Sequence, residues 1–295
     1  MKDLGYHLLA ILTIAIWGVT FVNTKVLLQH GLHPMEIFLL RFIVAYLCIW
    51  TISPRVVRSR SLADEGLFFV LGFLGGTVYF VAENTAIGLT YVNNVAFIVC
   101  TAPLITMLLA IAMMKGVKAS IPLVAGSAMA LTGVGMVVYN GSFVLQLSPL
   151  GDLLALVAAC SWAVYSLVIK KVSSRYSAVF ITRKVFFYGI VTVLPLFLIR
   201  PWQFPLEGLL SPPVWMNLLF LSVVASFLCF LWWSVAVKEI GALSTSNYVY
   251  LNPITTVIAS ALFLDEPMTL MAYIGSALIL LGVYVANREK RPERP

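Results

Sequence analysis

Apolar residues run in stretches of about twenty along this chain, separated by short polar breaks. A helix of about twenty residues crosses the ~30 Å hydrocarbon core of a bilayer. Read this way, the pattern predicts ten spans, at 5–28, 35–53, 66–89, 92–114, 121–140, 150–170, 178–199, 214–237, 243–264 and 268–287. The breaks carry turn signals: His33-Pro34, Ser53-Pro54, Ser148-Pro149, Pro201, Pro212-Pro213 and Glu266-Pro267. Connections are short and leave no room for an appended soluble domain. The first span lacks a small-x-small cleavage site and is followed by many like it, so it reads as a retained helix.

The pattern occurs twice. Residues 126–134 read Gly-Ser-Ala-Met-Ala-Leu-Thr-Gly-Val, and residues 275–283 read Gly-Ser-Ala-Leu-Ile-Leu-Leu-Gly-Val. Ala86, Val99, Pro103 and Thr106 match Ala236, Val249, Pro253 and Thr256 at one common offset. Trp17 and Lys25 are spaced like Trp162 and Lys170, and Phe38 and Arg41 like Phe180 and Arg183. The units are therefore 1–145 and 146–295, each with five spans. An odd span number places the second unit upside down relative to the first. The expected fold is an all-α polytopic membrane protein, ten transmembrane helices in two inverted five-helix repeats around a central cavity. Inverted repeats mark alternating-access transporters whose site lies at the repeat interface.

Composition agrees: 61% of residues are hydrophobic and 11% charged, against roughly 25% charged in soluble domains. The net charge of +7 does not point to nucleic acid, because the basic residues gather in short loops on one side. That side holds Lys2, Arg55, Arg58, Arg60, Lys115, Lys118, Lys170, Lys171, Arg175, Lys238 and the tail residues Arg288, Lys290, Arg291 and Arg294. The other side holds Arg200 with Asp152, Glu207, Asp265 and Glu266. The positive-inside rule then places both termini in the cytoplasm of a plasma (bacterial inner) membrane. The cysteines (Cys48, Cys100, Cys160, Cys229) sit in apolar runs without metal or redox spacing, so neither metal nor cofactor is expected.

A charge inside a span costs roughly 2.5–3.5 kcal/mol at a helix centre, so the few present are informative. Glu83 is the one carboxylate well inside a predicted span, on a helix face with Tyr79. It reads either as a partner for a substrate ammonium or a proton, or as a structural pair with Lys25 or Arg41. Pro103 and Pro253 fall mid-span, and each leaves the carbonyl four residues earlier, Val99 or Val249, without its usual donor. Such carbonyls bind an ammonium where they line a cavity. Trp17, Trp162, Tyr165, Tyr248 and Asn252 supply aromatic and amide character suited to an amphipathic organic molecule. The candidate substrate-binding set is thus Trp17, Tyr79, Glu83, Val99, Pro103, Trp162, Tyr165, Tyr248, Val249, Asn252 and Pro253. Lys25 and Arg41 toward one mouth, and Lys170 and Arg183 toward the other, are candidate gate charges. Snorkelling to headgroups is the alternative for these four.

Trp17, Gly18, Phe21 and Lys25, followed by Pro34 and Arg41, resemble the first repeat of EamA-type carriers. So does Ala86-x-x-Leu89-x-Tyr91 before a mid-helix proline, while Asp265-Glu266 and Gly275…Gly282 resemble the end of the second repeat. The resemblance covers essentially the whole chain and points to the drug/metabolite transporter superfamily. It implies ten helices in two inverted repeats around a central cavity, and either export of amino acids and other metabolites or carriage of sugars and drugs. The aromatic content is similar to that of the YddG-like branch, which exports aromatic amino acids. One departure is Lys115-Gly116, which stands where the second repeat has Asp265-Glu266. The role of Glu83 rests on local physics rather than on the resemblance.

The expected function is a secondary carrier exporting amino acids, with aromatic or apolar ones favoured. The alternative is a proton-coupled exporter of cationic drugs that uses Glu83. An intramembrane enzyme fits poorly, because His7, His30 and His33 lie at helix ends or in loops and no catalytic constellation forms inside the spans. The expected partners are a small-molecule substrate and the lipid bilayer, with no nucleic acid, and the chain is read as a monomer.

Overall fold

Turn chemistry at the breaks and apolar length between them produce helices throughout. The computed structural model describes residues 2–54, 58–90, 92–113, 120–139, 148–263 and 269–288, and among these no strand occurs. In chain order the helices are α1 (Lys2–Gln29), α2 (Pro34–Ile52), α3 (Leu62–Leu89), α4 (Val92–Val99), α5 (Ala102–Met113) and α6 (Ile121–Tyr139). The second half adds α7 (Pro149–Ser173), α8 (Ala178–Ile199), α9 (Pro212–Ile240), α10 (Ala242–Ser246), α11 (Asn252–Phe263) and α12 (Leu270–Ala286). Among the described residues seven helical stretches, Val95–Met113 counted as one, are long and apolar enough to cross a membrane, and Ile121–Val137 and Tyr273–Ala286 are shorter apolar helices. Arg55, Tyr91, Lys115, Gly116, Lys118, Asp265, Glu266, Lys290, Arg291 and Arg294 lie outside the described residues.

Helix starts follow capping rules. Ser61 accepts the Asp64 N–H at 3.1 Å, and Ser177 accepts that of Phe180 at 3.3 Å. Pro34, Pro149 and Pro212 open α2, α7 and α9, where their missing donor costs nothing.

Two predicted spans are interrupted. Span 92–114 breaks at Cys100–Thr101, where the Thr101 N–H reaches back only three residues, to Ile98. Span 243–264 becomes α10, a 3₁₀ turn over Asn247–Leu251, and α11. Pro103 and Pro253 each sit at the second residue of the helix that restarts, a position that needs no donor. The freed Val249 carbonyl does not stay empty: the Asn252 N–H closes the 3₁₀ turn onto it, and the Cys100 thiol donates to it at 3.5 Å.

A second irregularity recurs in α3 and α9. Phe73–Val78 and Phe220–Leu228 are π-helical. The Tyr79 N–H donates to both Leu74 and Gly76, and the Cys229 N–H to both Val224 and Ser226. These two three-residue sets match at the offset that relates Pro103 to Pro253. Insertions of this kind cluster at functional sites.

Glycines set the closest helix approaches, as expected where small residues rather than hydrophobic drive let backbones meet. A Cβ on Gly126 would stand 2.5 Å from the Gly282 carbonyl oxygen, and one on Gly133 would stand 2.6 Å from that of Gly275. α6 and α12 therefore cross antiparallel through the two stretches that are duplicated in sequence. Gly75 leaves no room for a Cβ against the Tyr165 ring, which seats α3 on α7.

Polar ties join the halves at two ends. Asp64 pairs with Arg175 at 2.5 Å and accepts the Tyr176 hydroxyl at 2.7 Å, while Glu65 pairs with Lys184 at 2.6 Å. Elsewhere Glu36 accepts the backbone N–H of Gln203 at 2.7 Å and of Phe204 at 3.1 Å.

Candidate functional site

Six helices converge on one chamber. Its wall is Trp17, Thr20 and Phe21 of α1, Arg41 of α2, Tyr79, Phe80 and Glu83 of α3, Trp162 of α7, Phe230 of α9 and Asn252 of α11. It holds about 340 Å³ of non-atom space, counting what is open to solvent.

α1 reaches the chamber because Gly18 lets it close on α11: a Cβ there would lie 2.9 Å from the Asn252 carbonyl oxygen. Thr256 on the next turn of α11 donates its hydroxyl to the Gly18 carbonyl at 2.8 Å. Trp17 is then held by its indole N–H, which donates to the Ala225 carbonyl in the π segment of α9 at 2.8 Å. Its ring meets Trp162 at 5.2 Å between centroids and 85° between planes. Phe80 and Phe230 close a further side, with ring centroids 6.1 Å apart.

Two opposite charges share this aromatic enclosure. The Tyr79 hydroxyl donates to Glu83 Oε1 at 2.7 Å, the i,i+4 contact that one helix face supplies. The Arg41 guanidinium carbon lies 4.2 Å over the Phe80 ring, and its Nε donates to the Ser226 hydroxyl at 2.8 Å. Among the described residues Glu83 forms no ion pair within 4.0 Å, with Arg41 or with Lys25. Asn252 adds a buried amide oxygen that has no hydrogen-bond donor among the described residues.

The structure thus brings together Trp17, Tyr79, Glu83, Trp162, Asn252 and Arg41 from the sequence-derived candidates. Val99, Pro103, Tyr165, Tyr248, Val249 and Pro253 do not line the chamber. Tyr165 packs behind Trp162 at 4.8 Å between centroids, and Tyr248 hydrogen-bonds His7 at 2.6 Å. Val99 and Val249 are buried at the helix breaks, Val249 engaged by Cys100.

Three of the four candidate gate charges sit at helix C-termini. Lys25 donates to the Ile87 carbonyl at 2.9 Å in the last turn of α3, and Lys170 to the Lys238 carbonyl at 2.8 Å in the last turn of α9. Carbonyls there lack intrahelical donors and carry the negative end of the helix dipole. Arg183 donates to the carbonyl of Ser53, the residue that ends α2. Arg41, its sequence counterpart, is the one that faces the chamber.

Phe80 and Phe230 escaped the sequence reading because a phenylalanine in an apolar run carries no signal of its own. Their match at the repeat offset was the available clue. Among the described residues no cluster of His, Cys, Asp or Glu is placed to hold a metal.

Comparison with known proteins settles the family. The EamA-like transporter family matches twice, over residues 4–139 and 149–288. The chain belongs to this family. As an EamA-like transporter it is an integral membrane protein. It is 27% identical over 288 residues to an uncharacterized transporter of Archaeoglobus fulgidus, covering 96% of this chain and 98% of the relative. A probable amino-acid metabolite efflux pump of Escherichia coli is 25% identical, covering 94% and 93% of the two chains. A probable terminal-alkyne amino-acid exporter of Streptantibioticus cattleyicolor is also 25% identical, covering 94% and 92%. A solved crystal structure shares the fold with a TM-score of 0.77 at 18% identity, covering 96% of this chain and 98% of that one.

Proposed function

We propose that this EamA-like transporter is a secondary carrier that exports amino acids, with aromatic or apolar side chains favoured. The observation that carries the reading is the placement of Arg41 and Glu83 in one aromatic-walled chamber without an ion pair between them. Such a chamber suits a zwitterion: the guanidinium receives the carboxylate, the carboxylate receives the ammonium, and Trp17, Trp162 and Phe230 receive the side chain. The two relatives named for amino-acid export agree with it.

Transport then proceeds by alternating access between two inverted five-helix repeats. Support for that arrangement comes from repeat partners in mutual contact. Trp17 meets Trp162, and Phe80 meets Phe230. A residue touches its own counterpart only on the axis that relates the copies. The crossed pairs Gly126–Gly282 and Gly133–Gly275 also exchange under the same operation. The antiparallel crossing is what an inverted repeat requires.

The protein resides in the plasma (bacterial inner) membrane with both termini cytoplasmic. Contacts of Arg60 and Asp64 with Tyr176, and of Lys170 with Lys238, support this by bringing loops of the basic side together. The test is counterflow in liposomes with a panel of radiolabelled amino acids, with and without a proton gradient. Uptake of aromatic amino acids supports the reading. Uptake of a lipophilic cation alone, abolished by Glu83→Gln, replaces it with a proton-coupled exporter of cationic drugs, a scheme in which Arg41 on the same wall is a repulsive charge.

A further inference from the structure

We propose that Ser226, presented by the π-helical turn of α9, is the positioning residue that aims Arg41 at a substrate carboxylate. It rests on the zwitterion reading of the chamber and adds the device that sets preference for acids over amines.

Arg41 is only 2% exposed, yet among the described residues it makes one hydrogen bond, from Nε to the Ser226 hydroxyl at 2.8 Å. Phe80 covers a face of the guanidinium at 4.2 Å. Among the described residues neither Nη atom has a hydrogen-bond partner. A guanidinium receives a carboxylate either side-on, through Nε and one Nη, or end-on, through both Nη atoms. Ser226 occupies Nε, and Phe80 blocks a face. The end-on fork remains, and Arg41 lines the chamber.

The π turn places this hydroxyl. One extra residue in a turn rotates the rest of the helix by roughly 100° relative to an unbroken α-helix. Here the Cys229 N–H spans Val224 and Ser226, and the Ala225 carbonyl between them accepts the Trp17 indole at 2.8 Å. Consecutive residues of one irregular turn therefore hold the cation and one aromatic wall.

The repeat-related pairing is an internal control. The matching π turn over Phe73–Val78 has Gly76 at the position of Ser226, so no hydroxyl is offered. Arg183, the counterpart of Arg41, donates instead to the Ser53 carbonyl. The Arg41–Ser226 pair forms between the two copies, and its repeat-related counterpart, Arg183 with Gly76, offers neither the hydroxyl nor a chamber-facing arginine.

The test measures binding of phenylalanine, 3-phenylpropionate and phenethylamine to the purified full chain in nanodiscs, by isothermal titration. Ser226→Ala is expected to weaken phenylalanine and 3-phenylpropionate by roughly fivefold to tenfold, the worth of one aligned polar contact, and to leave phenethylamine unchanged. Ser226→Thr restores wild-type values. Should the alanine variant fail to fold, Ser226→Cys, of similar shape and a weaker acceptor, supplies the same comparison. Equal weakening of all three ligands, no weakening of the two acids, or no binding of an acid by the wild type overturns the proposal. Ser226-dependent binding of the acids with no amino-acid counterflow in liposomes refutes export while the assignment of Ser226 stands.

Discussion

Trp17 donates its indole N–H to the Ala225 carbonyl at 2.8 Å, a bond that ties the midpoint of α1 to the irregular turn of α9. Trp162, its counterpart in the second repeat, has no such bond among the described residues, although the two rings touch. In its place the preceding Ser161 donates to the Leu74 carbonyl in the π turn of α3 at 2.6 Å.

Trp17→Phe keeps a ring in the chamber and removes the bond. It should lower stability by about 0.6–1.7 kcal/mol, the range for polar contacts between membrane helices. Trp162→Phe should cost less. Thermal unfolding of the two variants in detergent checks the difference, and equal losses would show that ring volume rather than the bond decides.

Gly133→Leu should prevent α6 from seating on α12, because even a Cβ there would lie 2.6 Å from the Gly275 carbonyl oxygen. Gly282→Ala is the milder version and should cost about 1–3 kcal/mol, as overpacking does. Size-exclusion profiles and melting temperatures read both effects. A Gly133→Leu protein that is monodisperse and wild-type in stability would mean that the two helices do not meet in this way.

Lys25→Met should cost about 0.3–1 kcal/mol, the worth of a cation at a helix C-terminus. It should leave the substrate KM unchanged, since Lys25 does not line the chamber. Parallel stability and counterflow measurements separate this from a gating role, in which transport would fall while stability held.

Glu83→Gln keeps the size of the side chain and removes its charge. Affinity for amino acids should drop by about tenfold to a hundredfold, matching the ~1.5–3 kcal/mol of a charge-assisted hydrogen bond. Affinity for the corresponding acids lacking the amine should hold or rise, because Arg41 then has no competing anion in the chamber. Titration with phenylalanine and 3-phenylpropionate reads the two arms, and parallel losses would remove Glu83 from ammonium recognition.

Much of the chamber was legible in the sequence. Glu83 stood out because an intramembrane carboxylate is costly, and Trp17 and Trp162 because they recur in both copies. The kinks at Pro103 and Pro253 were also legible, since the missing donor is a local fact. What answers the Val249 carbonyl is only partly local: the Asn252 N–H lies three residues on, whereas the thiol comes from Cys100, far away in sequence. The π turns left no mark beyond small residues at Gly75-Gly76 and Ala225-Ser226, because a one-residue change of ladder register hardly alters an apolar run. Spacing also paired Arg41 with Arg183 as equals. Only the packing around them shows one turned to the chamber and the other to the end of α2.

The charged members of the chamber wall, Arg41 and Glu83, both come from the first half of the chain, as does Tyr79. Where that half has Tyr79 and Glu83, the second has Cys229 and Trp233. Duplication has therefore left both charges with one copy, while the other supplies the Asn252 amide, the Ser226 hydroxyl and apolar wall. A chimera with a relative's residues 1–145 should inherit that relative's charge preference, and exchange of 146–295 should alter which side-chain shapes fit and, through position 226, how strongly acids are held.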